Sequence, residues 1–497
     1  MRKIKKINEQ SIQIQNKIIN DEVLDNFITS KSLKKYLGWV NLPNKITKKN
    51  NLFRTLKGKI VEENIENIIF IGMGGSIESA KTIFGLIESN INPKLFCIDT
   101  ISVLKIKEIE KEINLDRSLF VICTKSGETI ETNALERFFV NKLCVNQKNI
   151  IKISDIKQTN QNYFLQIKTE NNIGGRFSSL SEYGILPAFL ADYDINEFEK
   201  QAINMQKKCL QNNIFNPAIE LASFLMSCYV NEIKTLNIIS SKRTNNFSYW
   251  IEQLISESLG KNNEGFLPIV NEDYKLEFSK LSNRAFIIIE PNDETKIYAE
   301  ELISNDIPVK IINIPSNINY ISGEFFKWQI AIVMVGSLLN INPFDQPDVE
   351  KTKILTKKYL KEKQPKKLNY DDLRSLKLDE SIDYVAILNY TNKTKKVKKY
   401  IKHIQDIIYN DHKISSTVYE APRYLHSIGQ LFKSRKNNWA FIFVEDKHNF
   451  DENSKYYELI KIINAQAMSE YDIMKKIAKR VLRLRVNYDY VRATKRK

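Results

Sequence analysis

The sequence predicts an α/β protein with two doubly wound α-β-α sandwich domains, whose sheets are largely parallel, followed by a C-terminal α/β region. Short runs of β-branched and aromatic residues alternate with helical patterns, as expected of a parallel sheet covered by helices on both faces. The chain has 497 residues, which is too long for one ordinary domain. Hydrophobic residues make up 42% of the chain, enough to fill several cores, so we expect a globular protein.

Four segments are expected along the chain. Residues 1–60 are predicted to form a polar helical arm, 61–205 the first domain, 206–350 the second domain and 351–497 the C-terminal region. The first two domains look like two versions of one plan, because each alternates strands with helices at similar spacing.

Strands are predicted where apolar runs are short and β-branched, and helices where apolar residues recur at helical spacing. The first domain is predicted to contain strands Ile68 to Gly72, Leu95 to Ile98, Leu119 to Thr124 and Asn149 to Ile153, with helices ending at Ile87 and starting at Glu128. The second is predicted to contain strands Thr235 to Ser240, Ala285 to Glu290 and Val309 to Ile314, and helices Ala218 to Tyr229, Phe247 to Leu259, Glu294 to Ile303 and Glu324 to Leu339. The C-terminal region is predicted to contain a polar separator Lys351 to Lys367, strands Tyr384 to Leu388 and Trp439 to Val444, helices Lys395 to Tyr409 and Tyr456 to Met468, and a solvated basic tail from Lys479.

Composition excludes several classes of protein. The formal net charge is +16, but the lysines are spread along the chain, without zinc-ligand spacing or an RNA-binding aromatic signature, so we predict neither a metal site nor a nucleic-acid partner. The N-terminus lacks the apolar core of a signal peptide, and the longest apolar helix candidate, Trp328 to Ile341, is too short for the ~18 residues that span a bilayer. Five cysteines without C-x-x-C spacing indicate reduced thiols. We therefore expect a cytoplasmic protein with no membrane association.

The first stretch with chemical character is Ile68-Ile-Phe-Ile-Gly-Met-Gly-Gly-Ser-Ile77, a buried-strand pattern that runs into a glycine-rich loop and a helical pattern. Such a loop presents backbone N–H groups to a phosphate. A dinucleotide fingerprint is disfavoured because Ile77 replaces its third glycine, and a P-loop because Ala80 replaces its second. What remains is Gly72-Met-Gly-Gly-Ser76, in which Ser76 offers a hydroxyl; a tight turn without a ligand stays open.

A second loop, Thr124-Lys-Ser-Gly-Glu-Thr129, repeats the order of strand, loop and helix. Thr124, Ser126 and Thr129 offer hydroxyls, Gly127 permits an unusual backbone turn, and the helix that follows points its positive end at the loop. Two hydroxyl-rich loops in one sheet predict a phosphate monoester held by neutral donors.

A third stretch, Gly174-Gly-Arg-Phe-Ser-Ser-Leu-Ser-Glu182, brings an arginine to a helix start. Ser179 and Glu182 have capping-box spacing, and the two glycines let the backbone bring Arg176 close to a ligand, where it can stabilise a developing oxyanion. A surface arginine at an ordinary helix start is the alternative interpretation.

A fourth stretch, Tyr249 to Gly260, has an apolar stripe with Gln253 and Glu257 four residues apart on a neighbouring face. Gly260 is expected to end the helix, which places Glu257 in the last turn. There the negative end of the helix dipole disfavours the ionised carboxylate and makes it a stronger base. A solvated glutamate is the alternative.

Together with Asn342-Pro-Phe-Asp-Gln-Pro347, these ordered motifs resemble the glucose-6-phosphate isomerase family over roughly residues 65 to 355. The resemblance implies two sugar-isomerase (SIS) domains and a homodimer. It also implies that the substrate is a small-molecule sugar phosphate, and that the protein interconverts glucose 6-phosphate and fructose 6-phosphate without a metal or organic cofactor. It implies that Glu257 moves a proton between C2 and C1, that Arg176 stabilises the enediolate, and that Gln253 binds the sugar. The residues implied at the substrate are Gly75, Ser76, Thr124, Lys125, Ser126, Thr129, Gly175 and Gln346, with Lys353 and a histidine for ring opening.

The sequence departs from the family pattern in two places. Glu128 replaces a small hydroxyl residue near the expected phosphate, so we expect its carboxylate to point away. The Leu-His-Ser-x-Gly-Gln stretch, which normally precedes Phe-Asp-Gln, follows it here as Leu425-His-Ser-Ile-Gly-Gln430. Since no histidine lies between Glu257 and Gln346, His426 is the candidate for ring opening.

This late histidine motif and the ending Arg480-Val-Leu-Arg-Leu-Arg485 look like the isomerase portion of transaldolase and isomerase fusion proteins. A transaldolase barrel needs ~250 residues and does not fit ahead of Ile68, so we expect isomerase activity alone. Three alternatives remain open: an isomerase of another phosphosugar such as mannose 6-phosphate, a non-catalytic sugar-phosphate-binding regulator, and, more distantly, an NAD-dependent enzyme.

Overall fold

The computed structural model describes residues 2–31, 33–87, 91–156, 162–272, 276–362, 369–434, 438–446 and 452–486. The described helices are α1 (Arg2–Asn20), α2 (Val23–Thr29), α3 (Asn50–Glu62), α4 (Glu78–Gly85), α5 (Val103–Glu112), α6 (Ile130–Arg137), α7 (Glu182–Leu190), α8 (Ile195–Cys209), α9 (Pro217–Val230), α10 (Asn245–Leu259), α11 (Asp293–Ser304), α12 (Ile321–Leu338), α13 (Val349–Lys361), α14 (Lys395–Ile407), α15 (Gly429–Ser434) and α16 (Tyr457–Ile477). The described strands are β1 (Asn67–Gly72), β2 (Lys94–Ile98), β3 (Ser118–Cys123), β4 (Ile150–Ser154), β5 (Leu165–Lys168), β6 (Thr235–Ser240), β7 (Leu267–Val270), β8 (Arg284–Ile289), β9 (Val309–Ile312), β10 (Tyr384–Asn389), β11 (Ser415–Glu420), β12 (Trp439–Glu445) and β13 (Arg480–Arg485).

These strands form three parallel sheets. Their orders are β2-β1-β3-β4-β5, β7-β6-β8-β9 and β11-β10-β12-β13, and neighbouring strands in each sheet run parallel. The predicted fold class, α/β with doubly wound parallel sheets, is therefore confirmed. The C-terminal region repeats the strand order of the first two sheets, which the sequence did not predict.

The central strand β1 shows why these residues form a parallel sheet. All six of its residues are buried, and its side chains alternate between two cores. Ile69 and Ile71 pack into one core, and Ile68 and Phe70 pack into the other. A strand that is buried on both faces needs a continuous apolar run, and this explains the lack of a polar alternation in the sequence.

The strand order places the two glycine-bearing loops side by side. β1 and β3 are neighbours, and Gly72 at the end of β1 is in register with Cys123 at the end of β3. The connections after these two strands leave the sheet in opposite directions, since β2 lies on one side of β1 and β4 on the far side of β3. A ligand crevice forms at such a switch point, outside the carboxyl ends of the strands.

The N-terminal segment packs against the second sheet's helices as well as the first sheet. α1 lies along α9, and the ring of Trp39 lies 5.1 Å from that of Phe177 and 5.8 Å from that of Phe326. The domain boundaries remain a prediction. All three of them, at 60, 205 and 350, fall inside helices, namely α3, α8 and α13.

Two segments differ from their prediction. The stretch from Lys351 was predicted to be a polar separator, but α13 covers its first part, with Thr352 and Thr356 buried; 363–368 lie outside the described residues. The residues from Lys479 were predicted to be a solvated tail, but β13 pairs with β12. Both predictions were wrong because the buried residues give no strong apolar signal in the sequence. In α13 they are threonines, and in β13 the leucines alternate with arginines.

In the described part of the chain, no helix is long and apolar enough to cross a bilayer. The apolar helix α12 is instead buried along most of its length, from Ile321 to Gly336.

Because Leu482 is fully buried in β13, we expect Leu482→Ala to lower the free energy of unfolding of the third sheet by about 2–5 kcal/mol. Arg480→Ala, at an exposed position of the same strand, is the control and is expected to change it by no more than about 0.5 kcal/mol. Hydrogen exchange of the β10, β12 and β13 amides measures both. Equal protection of these amides from exchange in the two variants would contradict the burial of Leu482 in a paired strand.

Candidate active site

The Gly72–Ser76 loop and the Gly174–Arg176 turn touch through their backbones. A Cβ atom on Gly75 would lie 2.3 Å from the carbonyl carbon of Gly175, closer than any side chain tolerates. Gly74 has φ +54°, in the left-handed region that favours glycine. These glycines therefore hold the first loop directly against the turn that carries Arg176, and Ser76 is buried beside them.

The Arg176 side chain is buried and nearly saturated with partners. Its Nε donates to Ser258 Oγ (2.8 Å), and Nη1 lies 3.4 Å from Glu257 Oε2. Nη2 donates to the backbone carbonyl oxygens of Pro343 and Asp345. The arginine is thus fixed between the end of α10 and the loop that follows α12, with one face toward the Glu257 carboxylate.

Glu257 is a buried carboxylate, 5% exposed, in the last turn of α10. Its Oε2 accepts hydrogen bonds from Gln346 Nε2 (3.0 Å) and Gln253 Nε2 (3.3 Å). Burial raises the pKa of Glu257 above its ordinary value, and the neighbouring Arg176 opposes that rise. The raised pKa agrees in direction with the prediction, but solvent exclusion is the leading cause, and the sequence argument had invoked the helix dipole.

His426 reaches the site from the third sheet of the same chain. It ends a short turn, Arg423–His426, and its backbone oxygen accepts from Gln253 Nε2 at 2.9 Å. Its Nε2 lies 2.8 Å from Oε1 of the buried Glu131. Burial, the largest single cause, lowers the pKa of His426, but the charge and hydrogen bond of Glu131 together with the charge of Glu257 outweigh it, so the net shift is above the ordinary 6.5.

A cavity of about 290 Å³ is lined by Glu257 and His426, whereas Arg176 and Gln253 contact Glu257 but do not line the cavity. The predicted site residues that line it are Ser126, Thr129, Glu257, Gln346, Lys353 and His426. Glu128, which was expected to point away, lines the same cavity. Because the Glu128 side chain is exposed at the end of the loop, water can solvate its charge.

Lys125 and Thr124 have other surroundings, and Lys353 lines the cavity but also pairs with a neighbour. Lys125 Nζ pairs with Asp155 Oδ2 at 2.5 Å. Thr124 Oγ1 is buried without a hydrogen-bond partner among the described residues. Lys353 projects from α13 with 55% of its side chain exposed and lies 3.1 Å from Glu350. Their roles at the substrate remain predictions.

Sequence reasoning missed three groups at this site. Glu131 orients His426 and also accepts from Gln466 Nε2 at 2.5 Å. Lys433, which is buried, lines the cavity. Lys261 pairs with Asp345 at 2.9 Å, and burial is the first cause that lowers its pKa to about 8. Of these three groups only Glu131 had a local signal in the sequence, since it is a carboxylate two positions after Thr129 in the first turn of a helix.

The start of α7 also differs from its prediction. Ser181, and not Ser179, caps the helix, with its side chain accepting from the Tyr183 N–H. Ser179 Oγ accepts from the indole N–H of Trp250 (2.8 Å), so it ties the Arg176 turn to α10.

Comparison with known proteins agrees with this geometry. The family model described as phosphoglucose isomerase matches residues 45–270. This part of the chain is therefore similar to the phosphoglucose isomerase family. The matched part of the chain includes Ser76, Arg176 and Glu257. Gln346 and His426 lie outside it, and their place at the site is supported by their contacts with Glu257 and Gln253.

Relatives and solved structures extend the likeness. The chain is 29% identical over 343 residues to a probable glucose-6-phosphate isomerase of Methanococcus maripaludis, covering 58% of this chain and 77% of the relative. It is 28% identical over 346 residues to the glucose-6-phosphate isomerase of Methanocaldococcus jannaschii, covering 60% and 85%. A glucose-6-phosphate isomerase structure from Chlamydia trachomatis shares the fold, with a TM-score of 0.57 and 16% identity, over 70% of this chain and 85% of that one. A hypothetical protein from Thermus thermophilus gives a TM-score of 0.60 and 19% identity, over 72% and 96%.

We expect Glu131→Gln to lower the pKa of His426, because the substitution removes the charge that raises it. With a raised folded pKa, protonation of His426 stabilises the native state below an ordinary histidine pKa of about 6.5, and this contribution is lost as the pH rises through the folded pKa. NMR titration of the imidazole C–H signals measures the shift. His403, on α14, is the internal control, and an unchanged His426 titration would contradict the pairing.

Proposed function

We propose that this protein is a glucose-6-phosphate isomerase, which interconverts glucose 6-phosphate and fructose 6-phosphate through ring opening and an enediolate intermediate. The observation that carries the proposal is the pairing of the buried Glu257 carboxylate with the Arg176 guanidinium, 3.4 Å apart, at a cavity that His426 also lines. Proton transfer next to a carbonyl needs a carboxylate of raised pKa and a cation facing the new oxyanion.

The phosphate of the substrate would lie at the two glycine-bearing loops. Ser126 and Thr129 line the cavity, and α6 begins immediately after Thr129 with its N-terminal end toward them. Hydroxyls and free N–H groups at a helix start bind a phosphate without needing a cation. Ser76, Thr124 and Lys125 are proposed to complete the phosphate site, in line with the family motifs.

Ring opening needs one proton delivered to the ring oxygen while another leaves the C1 hydroxyl. His426 is proposed as the acid at the ring oxygen, because its raised pKa keeps it protonated to higher pH than an ordinary histidine. Lys353 lines the same cavity and is proposed to assist at the C1 hydroxyl. No electrons are gained or lost in this step.

The isomerisation then moves one proton between adjacent carbons. Glu257 takes the proton from C2, the C1 carbonyl oxygen becomes the enediolate oxygen, and Arg176 stabilises its charge. Glu257 returns the proton to C1 while the O2 proton passes to O1, which leaves a C2 ketone. Gln253 and Gln346, which donate to Glu257 in the ligand-free site, are proposed to bind the sugar hydroxyls.

Several features of the protein remain proposals. A homodimer and a cytoplasmic location follow from the family likeness. The C-terminal region is proposed to share its motif order with the isomerase portion of transaldolase and isomerase fusions, which the late His426 motif supports. A sugar-phosphate-binding regulator is a weaker candidate, since it would have no need for a cavity that Glu257 and His426 line, with Arg176 paired to Glu257.

We expect Glu257→Gln to keep the fold and to lower turnover of fructose 6-phosphate by about 10²–10⁴-fold, because the amide cannot accept the C2 proton. Glu301→Gln, the same change at an exposed position of α11, is the control and is expected to leave turnover unchanged. A coupled assay of glucose 6-phosphate formation, with chelator present and mannose 6-phosphate in parallel, measures both variants. Substantial turnover by Glu257→Gln would remove Glu257 from its role.

Mixing His426→Ala protein with Glu257→Gln protein is expected to restore no activity, even after the two are unfolded and refolded together. In the structure one chain supplies both groups to one cavity, so every site in a mixed assembly would still lack one of them. Activity recovered above that of the two parent variants would show instead that two chains share a site.

A further inference from the structure

The turn that carries His426 is too short to fix its own orientation. It contains the four residues Arg423–His426, and its backbone hydrogen bonds run from Leu425 N to Pro422 O (3.0 Å) and from Ser427 N to Tyr424 O (3.2 Å). Turns of this type have poor hydrogen-bond geometry and do not extend. The position of the imidazole must therefore be set by tertiary contacts.

The first residue of that turn lies at the centre of a buried charged cluster. Arg423 Nε lies 3.0 Å from Glu78 Oε1 and 3.7 Å from Asp99 Oδ2. Its Nη1 lies 3.9 Å from Glu252 Oε1. The guanidinium carbon stands 4.4 Å from the ring centroid of Tyr249. One planar group thus contacts three carboxylates and an aromatic face, which suits arginine and not lysine.

The partners of Arg423 come from two different parts of the fold. Glu78 begins α4 and Asp99 follows β2, both in the first sheet's layer, whereas Glu252 is on α10. Lys81 is the second cation of the cluster, 3.1 Å from Glu78 and 2.6 Å from Asp99. The cluster therefore ties the third sheet's turn to the helix that carries Glu257 and to the sheet that carries the phosphate loops.

The cluster is poorly suited to a purely stabilising role. Glu78 Oε2, Glu252 Oε1 and Arg423 Nη2 are buried without a hydrogen-bond partner among the described residues. Buried charges that are incompletely hydrogen-bonded add little to stability, and apolar residues of the same size often serve as well. What such a group can supply is a defined geometry.

That geometry continues into the catalytic residues. Gln253, the neighbour of Glu252 on α10, donates to the His426 carbonyl oxygen at 2.9 Å and lies 3.3 Å from Glu257 Oε2. Arg423 holds the beginning of the turn and Gln253 holds its end, both against the same helix. We propose that Arg423 is a positioning residue that, through its buried carboxylate partners, sets where the His426 imidazole stands relative to Glu131 and to the base. The inference rests on the proposed isomerase function.

The test compares Arg423→Lys with Arg374→Lys, the same change at a side chain that is 90% exposed. The first readout needs no substrate: the pKa of His426 by NMR, with His426→Ala identifying its signal among four histidines. We expect Arg423→Lys to lower that pKa, because the ring moves away from Glu131, and Arg374→Lys to leave it unchanged. An unchanged pKa in Arg423→Lys would overturn the proposal.

Arg423→Met is the second variant, and it removes the charge altogether. Burial raises the pKa of Glu252 to about 7, and Arg423 opposes the rise, so without Arg423 this carboxyl takes up a proton and the fold is expected to survive. Loss of the nearby positive charge alone would raise the pKa of His426, whereas displacement of the turn lowers it. The sign of the shift therefore separates a charge effect, which would overturn the proposal, from positioning.

The second readout is kinetic. Both Arg423 variants are expected to lower kcat for glucose 6-phosphate by about 10²-fold with KM nearly unchanged, as for a misplaced catalytic group. In the His426→Ala background the same changes should cause no further loss, because Arg423 acts through His426. A loss that persists in that background would overturn the proposal. If the wild-type protein does not isomerise sugar phosphates, the proposed function fails, and the NMR titration still decides the role of Arg423.

Discussion

The contact between Arg176 and Glu257 is the interaction on which the rest of the site depends. Both side chains are buried, at 3% and 5% exposure, and removing two charges from water is costly unless their remaining hydrogen-bonding groups find partners. Here Ser258 and two backbone carbonyls take up the guanidinium donors, and two amides donate to the carboxylate. Each of these partners must be in place for the pair to stay ionised, so the turn after Gly174, the end of α10 and the loop after α12 are fixed together.

The three sheets have one strand order but use it differently. In the first sheet the glycine-rich loop after β1 packs against the turn that carries Arg176, and the loop after β3 contributes Ser126 and Thr129 to the cavity. In the second sheet the loops after β6 and β8 are joined by an ion pair between Arg243 and Glu290. The third sheet contributes through the turn after β11, where His426 lies. Topology therefore provides equivalent crevices, and the side chains at each one determine whether it can hold a ligand.

Local patterns predicted the central strands and two edge strands, β2 and β9, but missed the other edge strands, which are β5, β7, β11 and β13. β1 and β8 were predicted close to their observed bounds because strands buried on both faces are continuous apolar runs. β5 was missed because its four residues are only partly buried, and β13 because alternate arginines hide its buried leucines. At the site, Glu128 was expected to point away from the cavity that it in fact lines, since spacing alone does not fix the direction of an exposed side chain.

The sequence by itself determined the glycine loops, the helix with Gln253 and Glu257 on one face, and the resemblance to the glucose-6-phosphate isomerase family. These are local properties: glycine spacing decides which backbone turns are possible, and residues four apart on a helix must be neighbours. The tertiary structure alone decided that Glu131 pairs with His426, that one chain supplies both His426 and Glu257, and that Arg423 joins the histidine turn to both sheets. It also decided the main cause of the raised pKa of Glu257, because solvent exclusion at a carboxylate depends on segments that are far apart in the chain and meet only in the folded protein.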